Sequence, residues 1–198
     1  AESAVLLHMV AGVDRAVPVI FLETGKLFPE TLAYRDRLVA HLELENVRSV
    51  TPEERTLEER DPAGNLHASN PDACCHVRKV APLERALAGL QAWVTGRKRF
   101  QGAARSHLPT LEAADSRLKI NPLARWSRDD VERYMEVHGL PPHPLEAQGF
   151  TSIGCAPCTR PPGPGGGLRD GRWAGTDKTE CGIHWTVNGR PLRAASGT

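Results

Sequence analysis

Five cysteines carry most of the chemistry that this sequence could perform. Cys155 and Cys158 are separated by two residues, a spacing that lets both thiols bind one metal centre across a tight turn. Cys74 and Cys75 are adjacent, which suits neither a zinc knuckle nor a relaxed disulfide, and Cys181 stands apart near the end of the chain. The natural division is therefore a centre held by four thiolates and one free, reactive thiol.

The type of metal centre is not decided by the thiols alone. Soft thiolate ligands select either zinc or an iron–sulfur cluster. Zinc would force Cys74 and Cys75 onto two corners of one small tetrahedron, whereas in a cubane each can bind a different iron, so the spacing favours iron and sulfur by roughly two to one. His76 is a candidate ligand, although beside four thiolates it is more typical of a surface residue.

Cationic residues near these cysteines in the sequence could stabilise a thiolate or bind an anion. Lys79 follows the adjacent cysteines by four and five residues, so on a helix it lies close to their side. Arg169 and Arg172 precede Cys181 and favour its thiolate form, which the neighbouring glutamate opposes. A solvated surface charge is the default for any single arginine, and the basic run at 97–99 is predicted to be solvated.

The elements that must position these groups follow from hydrophobic periodicity and turn residues. Strands are predicted at 17–22, 46–50, 91–95 and 118–120, and helices near the start of the chain and from Pro29, Thr51, Asn70, Leu83 and Ser127. Thr51 to Glu54, and Ser127 with Asp130, have the pattern of a capping box. No regular structure is predicted from Leu140 onward. Alternating strands and helices predict an α/β fold with a parallel sheet and flanking helices.

Composition narrows the class of protein. The chain has 198 residues and a formal net charge of +1, which indicates neither a nucleic-acid scaffold nor a polybasic membrane anchor. We find no apolar run of about 20 residues and no secretory leader, and therefore expect a cytoplasmic protein. In that reducing compartment the cysteines indicate metal or redox chemistry. The glycine-rich run at 163–167 is predicted to be a flexible hinge.

Five motifs, in order, make the sequence resemble the assimilatory sulfonucleotide reductases, the family of adenylyl-sulfate (APS) and phosphoadenylyl-sulfate (PAPS) reductases. The motifs are ETGKLFPET at 23–31, CCHVRKV at 74–80, GCAPCT at 154–159, RDGRW at 169–173 and KTECGIH at 178–184. The first departs from the family pattern by a glutamate in place of the usual aspartate. Members with both cysteine pairs carry a [4Fe-4S] cluster and typically use APS. The resemblance therefore implies such a cluster on Cys74, Cys75, Cys155 and Cys158.

The resemblance also implies a fold and a mechanism. The fold is that of the adenine nucleotide alpha hydrolases (PP-loop), with a reductase domain at 1–160 and a flexible tail at 161–198. The thiolate of Cys181 would attack the sulfur of APS to give an S-sulfocysteine and AMP, and thioredoxin or glutaredoxin would then release sulfite. The implied substrate-binding residues are Ser3, Thr24, Gly25, Arg78, Lys79, Arg105, Arg169, Arg172 and His184.

The start of the chain departs from the family pattern. The phosphate-binding loop of the family reads approximately SFGAE followed by Asp or Ser, and only Ala1 to Ser3 matches it here. We therefore expect the first strand and the first half of the loop to be missing from this sequence. Because a PP-loop needs residues on both sides of its turn, the 198 residues alone are expected to be poorly soluble and nearly inactive.

Two alternative functions remain. The first is PAPS reduction by the same chemistry. The second is a zinc-stabilised binding module whose basic tail docks an acidic partner. Neither nucleic acid nor a membrane is expected as a partner, and a homo-oligomer is compatible with the sequence.

Overall fold

The computed structural model describes residues 2–101, 105–114, 117–183, 186–187 and 190–191. Its helices are α1 (Glu2–Ala11), α2 (Pro29–His41), α3 (Glu54–Arg60), α4 (Leu66–Ser69), α5 (Pro71–Cys75), α6 (Ala81–Ala86) and α7 (Arg128–Val137). Its strands are β1 (Val19–Leu22), β2 (Val47–Val50), β3 (Ala92–Val94), β4 (Leu111–Ala114), β5 (Arg117–Ile120), β6 (Thr186–Val187) and β7 (Arg190–Pro191). Within these ranges, no helix combines the length and apolar character that crossing a membrane requires.

Two parallel strand pairs form the framework. β1 pairs in parallel with β2, and β3 pairs in parallel with β5. β4 lies antiparallel on the other side of β5, so that the second sheet has the order β3, β5, β4. Parallel neighbours need a crossover connection, and helix α2 supplies it between β1 and β2. These pairs confirm the predicted α/β fold class.

The hydrophobic core lies between α1, α2 and α7. Its buried members are Ala4, Val5, Tyr34, Leu38, Leu42, Leu44, Leu123, Val131, Met135 and Leu140. The predicted capping box at the start of α7 is confirmed, because the Ser127 hydroxyl accepts from the amide of Asp130, whose carboxylate accepts from the amide of Ser127. Because α7 begins directly after Ser127, Val131 and Met135, which are four residues apart, lie on the same face of the helix, and this face packs into the core.

One helical segment carries the adjacent cysteines. It begins as α5, where the Asn70 side chain accepts a hydrogen bond of 3.0 Å from the amide of Ala73, as the sequence predicted. Between His76 and Val80 the segment widens into a π-helical turn before continuing as α6. Such turns are frequent at functional sites. Here the turn contains Arg78 and Lys79, and both are buried.

Several local predictions were wrong. α3 begins at Glu54 with Glu53 as N-cap and without a side-chain cap, so the capping box at Thr51 does not form. Strand β4 was not predicted, because its pairing with β5 is set by a hairpin rather than by a clear alternating pattern. Short 3-10 turns at Pro144–Gln148 and Ala156–Cys158 interrupt the region that was expected to lack regular structure.

The loop that follows the second cysteine pair is joined back to it by a close backbone approach. The amide of Arg160 donates to the Gly171 carbonyl at 2.9 Å, and the amide of Trp173 donates to the Cys158 carbonyl at 3.0 Å. A Cβ on Gly171 would lie 1.8 Å from the Arg160 carbonyl oxygen. Glycine is therefore required at this position for steric reasons.

The division into a domain at 1–160 and a tail at 161–198 stays a prediction, as does the hinge at 163–167. The backbone pairing just described joins residues on the two sides of that boundary. A moving segment that carries Cys181 would have to begin after Trp173 for as long as this pairing is kept.

We predict that Gly171→Ala loosens this loop. The added methyl group overpacks the site, which typically costs about 1–3 kcal/mol. The thermal midpoint should fall, and the amide of Arg160 should exchange with solvent about tenfold faster or more by hydrogen exchange. Gly163→Ala in the same loop is the matched control, because nothing lies within 4 Å of a Cβ there. Equal behaviour of the two variants would contradict the steric argument.

Candidate active site

The structure brings the second cysteine pair to the carboxyl end of β1. Cys155 forms an isolated antiparallel bridge with Leu27, and the amide of Ala156 donates to the Lys26 carbonyl at 2.7 Å. As a result the Cys155 sulfur lies 3.3 Å from Thr24 Oγ1. The loop after β1 therefore positions the C-x-x-C turn.

Three of the four paired cysteines are buried, namely Cys74, Cys75 and Cys155, and Cys158 is partly exposed. Burial raises the pKa of Cys74, and the nearby Cys155 and Cys158 contribute in the same direction. Burial also raises the pKa of Cys75 to about 11, although Lys79 opposes the shift. The thiols that the sequence predicted to act together are thus within electrostatic range of one another. Among the described residues, no group of three or more Cys, His, Asp or Glu side chains is arranged to hold a single metal ion.

Arg78 joins the cysteine helix to the end of β1. Its guanidinium donates through Nε and Nη2 to Asp61 Oδ2, at 3.1 and 2.7 Å, and through Nη1 to the Thr24 carbonyl at 2.8 Å. The side chains of Arg78 and Asp61 are only 7% and 0% exposed. Burial alone would raise the pKa of Asp61, but hydrogen bonds from the Leu66 amide and from Arg78 lower the pKa below its ordinary value. In this structure Nε, Nη1 and Nη2 of Arg78 all donate to groups of the protein itself. No observation tests the predicted contact of Arg78 with substrate, which stays a prediction.

A cavity of about 1380 Å³ runs between β1 and β3 and contains most of the predicted substrate-binding residues. Those that line it are Ser3, Lys79, Arg105, Arg169 and Arg172, together with the predicted nucleophile Cys181. Thr24 and Gly25 do not line it. Thr24 faces Cys155, and Gly25 forms a tight turn with a positive φ of 66°. His184 lies outside the described residues.

Lys79 connects the cysteine pairs to Cys181. Its side chain is buried, which by itself would lower its pKa, but the nearby Cys181, Cys155 and Cys75 raise the pKa above its ordinary value. The same cation therefore lies within electrostatic range of candidate metal ligands and of the predicted nucleophile. The sequence-based prediction that Lys79 bridges the cluster and the substrate is not tested by this placement and stays a prediction.

The guanidinium of Arg172 covers the backbone before the C-x-x-C turn. A Cβ on Gly154 would lie 2.2 Å from Arg172 Nη2, so glycine makes room for the guanidinium. Arg172 also stacks at 4.4 Å on the ring of Trp173. Its Nε is buried and has no hydrogen-bond partner among the residues that the structure describes, and burial lowers the pKa of the guanidinium.

Two carboxylates compensate part of the positive charge around the cavity. Arg105 Nη2 donates to Glu180 Oε1 at 2.6 Å, and Arg169 Nη2 lies 3.3 Å from Glu180 Oε2. Lys98 Nζ lies 3.2 Å from Glu2 Oε1. Burial lowers the pKa of Lys98 to about 8, although Glu2 raises it. The site is therefore rich in cations that are shielded from solvent.

The prediction that the basic run at 97–99 is solvated was wrong. Lys98 is fully buried and Arg97 is 7% exposed. Arg97 pairs with Glu112 and Lys98 with Glu2, which offsets the cost of desolvating the two charges. Arg99 donates to the Leu108 carbonyl at 3.0 Å. The acidic partners come from other elements, so local sequence carried no signal of them.

Sequence reasoning also assigned no role to Trp173. Its ring is buried, and three cations lie 4.4 to 5.8 Å from its centroid, namely Arg172, Lys178 and Arg169. Lys178 also pairs with Asp72 at the start of the cysteine helix. The sequence indicated this arrangement, because Trp173 lies between Arg172 and Lys178 and an aromatic ring among basic residues favours cation–π contacts. Trp173 thus supports the side chains that line the cavity.

Comparison with known proteins agrees with this geometry. A family model described as the phosphoadenosine phosphosulfate reductase domain matches residues 1–161. The chain is 59% identical over 184 residues to an adenosine 5′-phosphosulfate reductase of Mesorhizobium japonicum, a match that covers 93% of this chain and 72% of that protein. It is 45% identical over 186 residues to the protein of that name from Mycolicibacterium smegmatis, covering 92% of this chain and 78% of the relative.

Solved structures show the same fold. A phosphoadenylyl-sulfate reductase from Candida auris, in complex with phosphate, superposes with a TM-score of 0.66 at 27% identity, covering 78% of this chain and 76% of that chain. An FMN adenylyltransferase from Candida glabrata, at 16% identity and a TM-score of 0.54, covers 74% of this chain and 45% of its own, and shows the fold alone. These neighbours confirm the predicted PP-loop nucleotide-binding fold. The chain therefore belongs to the family of the phosphoadenosine phosphosulfate reductase domain.

Proposed function

We propose that this protein reduces adenylyl sulfate to sulfite and AMP in sulfate assimilation. The observation that carries the proposal is the position of Cys181, a free thiol that lines the same cavity as the predicted substrate-binding cations Lys79, Arg105, Arg169 and Arg172. The names of relatives that are 59% and 45% identical support APS as the substrate.

The cations that line the cavity would reduce the electrostatic repulsion between the two anionic reactants. A thiolate must approach a phosphosulfate that is itself negatively charged, and repulsion would keep the two apart in water. Arg172 Nε is buried and has no partner within the described part of the chain, and Lys79 lines the same cavity as Cys181. Guanidinium groups match phosphate and sulfate oxygens in geometry as well as charge. In a site shielded from solvent these contacts stabilise developing charge more strongly than in water.

The proposed chemistry has two steps. In the first, Cys181 Sγ attacks the sulfur of APS, an S–S bond forms, and the S–O bond to the phosphate breaks so that AMP leaves with the electron pair. In the second, a thiolate of a dithiol protein of the thioredoxin or glutaredoxin class attacks Cys181 Sγ. Sulfite leaves, and the second thiol of that partner resolves the mixed disulfide. The partner supplies the two electrons.

We further propose that Cys74, Cys75, Cys155 and Cys158 hold a [4Fe-4S] cluster. The donor set fits such a group, since four thiols share one region and thiolates are its protein ligands. Lys79, Arg172 and Lys178 lie close enough to influence the thiols and would offset their charge as thiolates. When bound, the cluster would supply a local charge and a redox-capable centre beside Lys79. Zinc remains the alternative that the thiols by themselves allow.

The first prediction separates the nucleophile from the metal ligands. Cys181→Ser should retain the brown chromophore and the iron and sulfide content of the parent, and should bind APS, but should release no sulfite. Cys75→Ser should lose the chromophore together with much of the local fold. Anaerobic purification, iron and sulfide assays and a sulfite assay provide the measurements. Loss of iron from Cys181→Ser would overturn the assignment, and a colourless parent that contains zinc would favour a binding module.

The second prediction concerns substrate choice. PAPS differs from APS by one 3′-phosphate, which a site shaped for a ribose hydroxyl would leave crowded and unpaired. With thioredoxin as reductant, kcat/KM should be higher for APS than for PAPS when the two are measured side by side. The Candida auris neighbour is named for PAPS, which makes this comparison informative. A higher value for PAPS would show that the alternative substrate is the correct one.

The third prediction concerns Arg172. Replacing it with Ala removes a charge-assisted contact inside the cavity and should lower kcat/KM by a factor equivalent to roughly 2 kcal/mol or more. Arg169→Ala should act in the same direction. Arg160→Ala is the matched control, because its side chain is exposed in a neighbouring part of the loop. Turnover in Arg172→Ala equal to that of the control would assign Arg172 a structural role only.

A further inference from the structure

Glu180 forms ion pairs with two arginines that line the cavity. Its two carboxylate oxygens are divided between Arg105 at 2.6 Å and Arg169 at 3.3 Å. The side chains of Glu180 and Arg105 are only 14% and 7% exposed, so this is a shielded ion pair rather than a surface contact. Both arginines are among the residues that the sequence predicted to bind the phosphosulfate.

The surrounding charges explain why a carboxylate is stable there. Lys98, Arg105, Arg169 and Arg172 line one cavity, and mutual repulsion adds to the burial that lowers the pKa values of Lys98, Arg105 and Arg172. Without a counterion these cations would destabilise the substrate-free protein. Glu180 supplies one negative charge, and an anionic substrate would supply its own.

The ion pair also holds the segment that carries the nucleophile. Glu180 immediately precedes Cys181, and Arg169 donates in addition to the Thr179 carbonyl at 3.0 Å. A second attachment lies two residues before Glu180, where Lys178 pairs with Asp72 on the cysteine helix. Cys181 therefore follows a short segment that is fastened by charges of opposite sign to two different parts of the fold.

We propose that Glu180 is a positioning residue that holds Cys181 at the cavity by standing in for the anionic group of the substrate on Arg105 and Arg169. Binding of the sulfonucleotide displaces the carboxylate, because both compete for the same donors. The displacement loosens one of the two attachments of the Cys181 segment at the moment when the substrate is in place. This inference rests on the proposed function for the identity of the anion, but the resident carboxylate is a feature of the protein itself.

The first test measures binding without turnover. In a Cys181→Ser background, Glu180→Gln removes the competing charge and should tighten APS binding by about five- to tenfold in calorimetry. Asp177→Asn is the matched control, since it removes an exposed carboxylate from the same segment, and it should leave the affinity within about twofold. Equal affinities in the Gln variant and the control would overturn the displacement. Failure of the Cys181→Ser parent to bind APS would instead count against the proposed function.

The second test needs no substrate. With Cys181 present, Glu180→Gln should raise the rate of its alkylation by iodoacetamide, mapped by mass spectrometry, by about fivefold or more, because the segment opens more often. Glu180→Asp should restore slow alkylation in part, and Asp177→Asn should match the parent. Unchanged iron content and far-UV circular dichroism would establish that the fold is retained. Equal alkylation rates in all four proteins would show that Glu180 does not position Cys181.

Discussion

The buried ion pair between Arg78 and Asp61 is the interaction on which the candidate site depends. It ties the π-helical turn to the loop before α4, and its third donor reaches the Thr24 carbonyl at the end of β1. Thr24 in turn lies against Cys155. The segments that carry the two cysteine pairs are thus joined through this one shielded ion pair and its hydrogen bond to Thr24. A partner left alone in such an environment would be an uncompensated buried charge, which typically costs about 3–5 kcal/mol.

The cations of this protein divide into two groups with different tasks. Arg78 and Arg97 are held by carboxylates of the fold and fix the positions of the elements that carry them. Lys79 and Arg172 instead line the cavity near thiols, and Arg172 has a buried Nε for which the described residues supply no acceptor. The difference follows from what each guanidinium or ammonium meets, since a matched carboxylate neutralises a cation while an unmatched one remains available to a ligand.

Close backbone approaches decide where the second cysteine pair lies. Gly154 leaves room for the guanidinium of Arg172, and Gly171 leaves room for the Arg160 carbonyl. Cys155 and Cys158 lie between these two contacts in the chain. These two contacts restrict the backbone on both sides of the C-x-x-C turn and so fix where Cys155 and Cys158 lie.

Much of this protein could be predicted from local sequence. The caps at Asn70 and Ser127 and the alternation of strands and helices depend on residues a few positions apart, so pattern and propensity were sufficient to predict them and the α/β fold. The predicted site residues came from the resemblance to a known family and stay a prediction. Tertiary structure alone decided which charges are paired. Glu180 contacts Arg105, Glu112 contacts Arg97, and Glu2 contacts Lys98 through folding that joins distant segments. The free energy of a charge is set by its burial and its neighbours, and the sequence specifies those neighbours only through the completed fold.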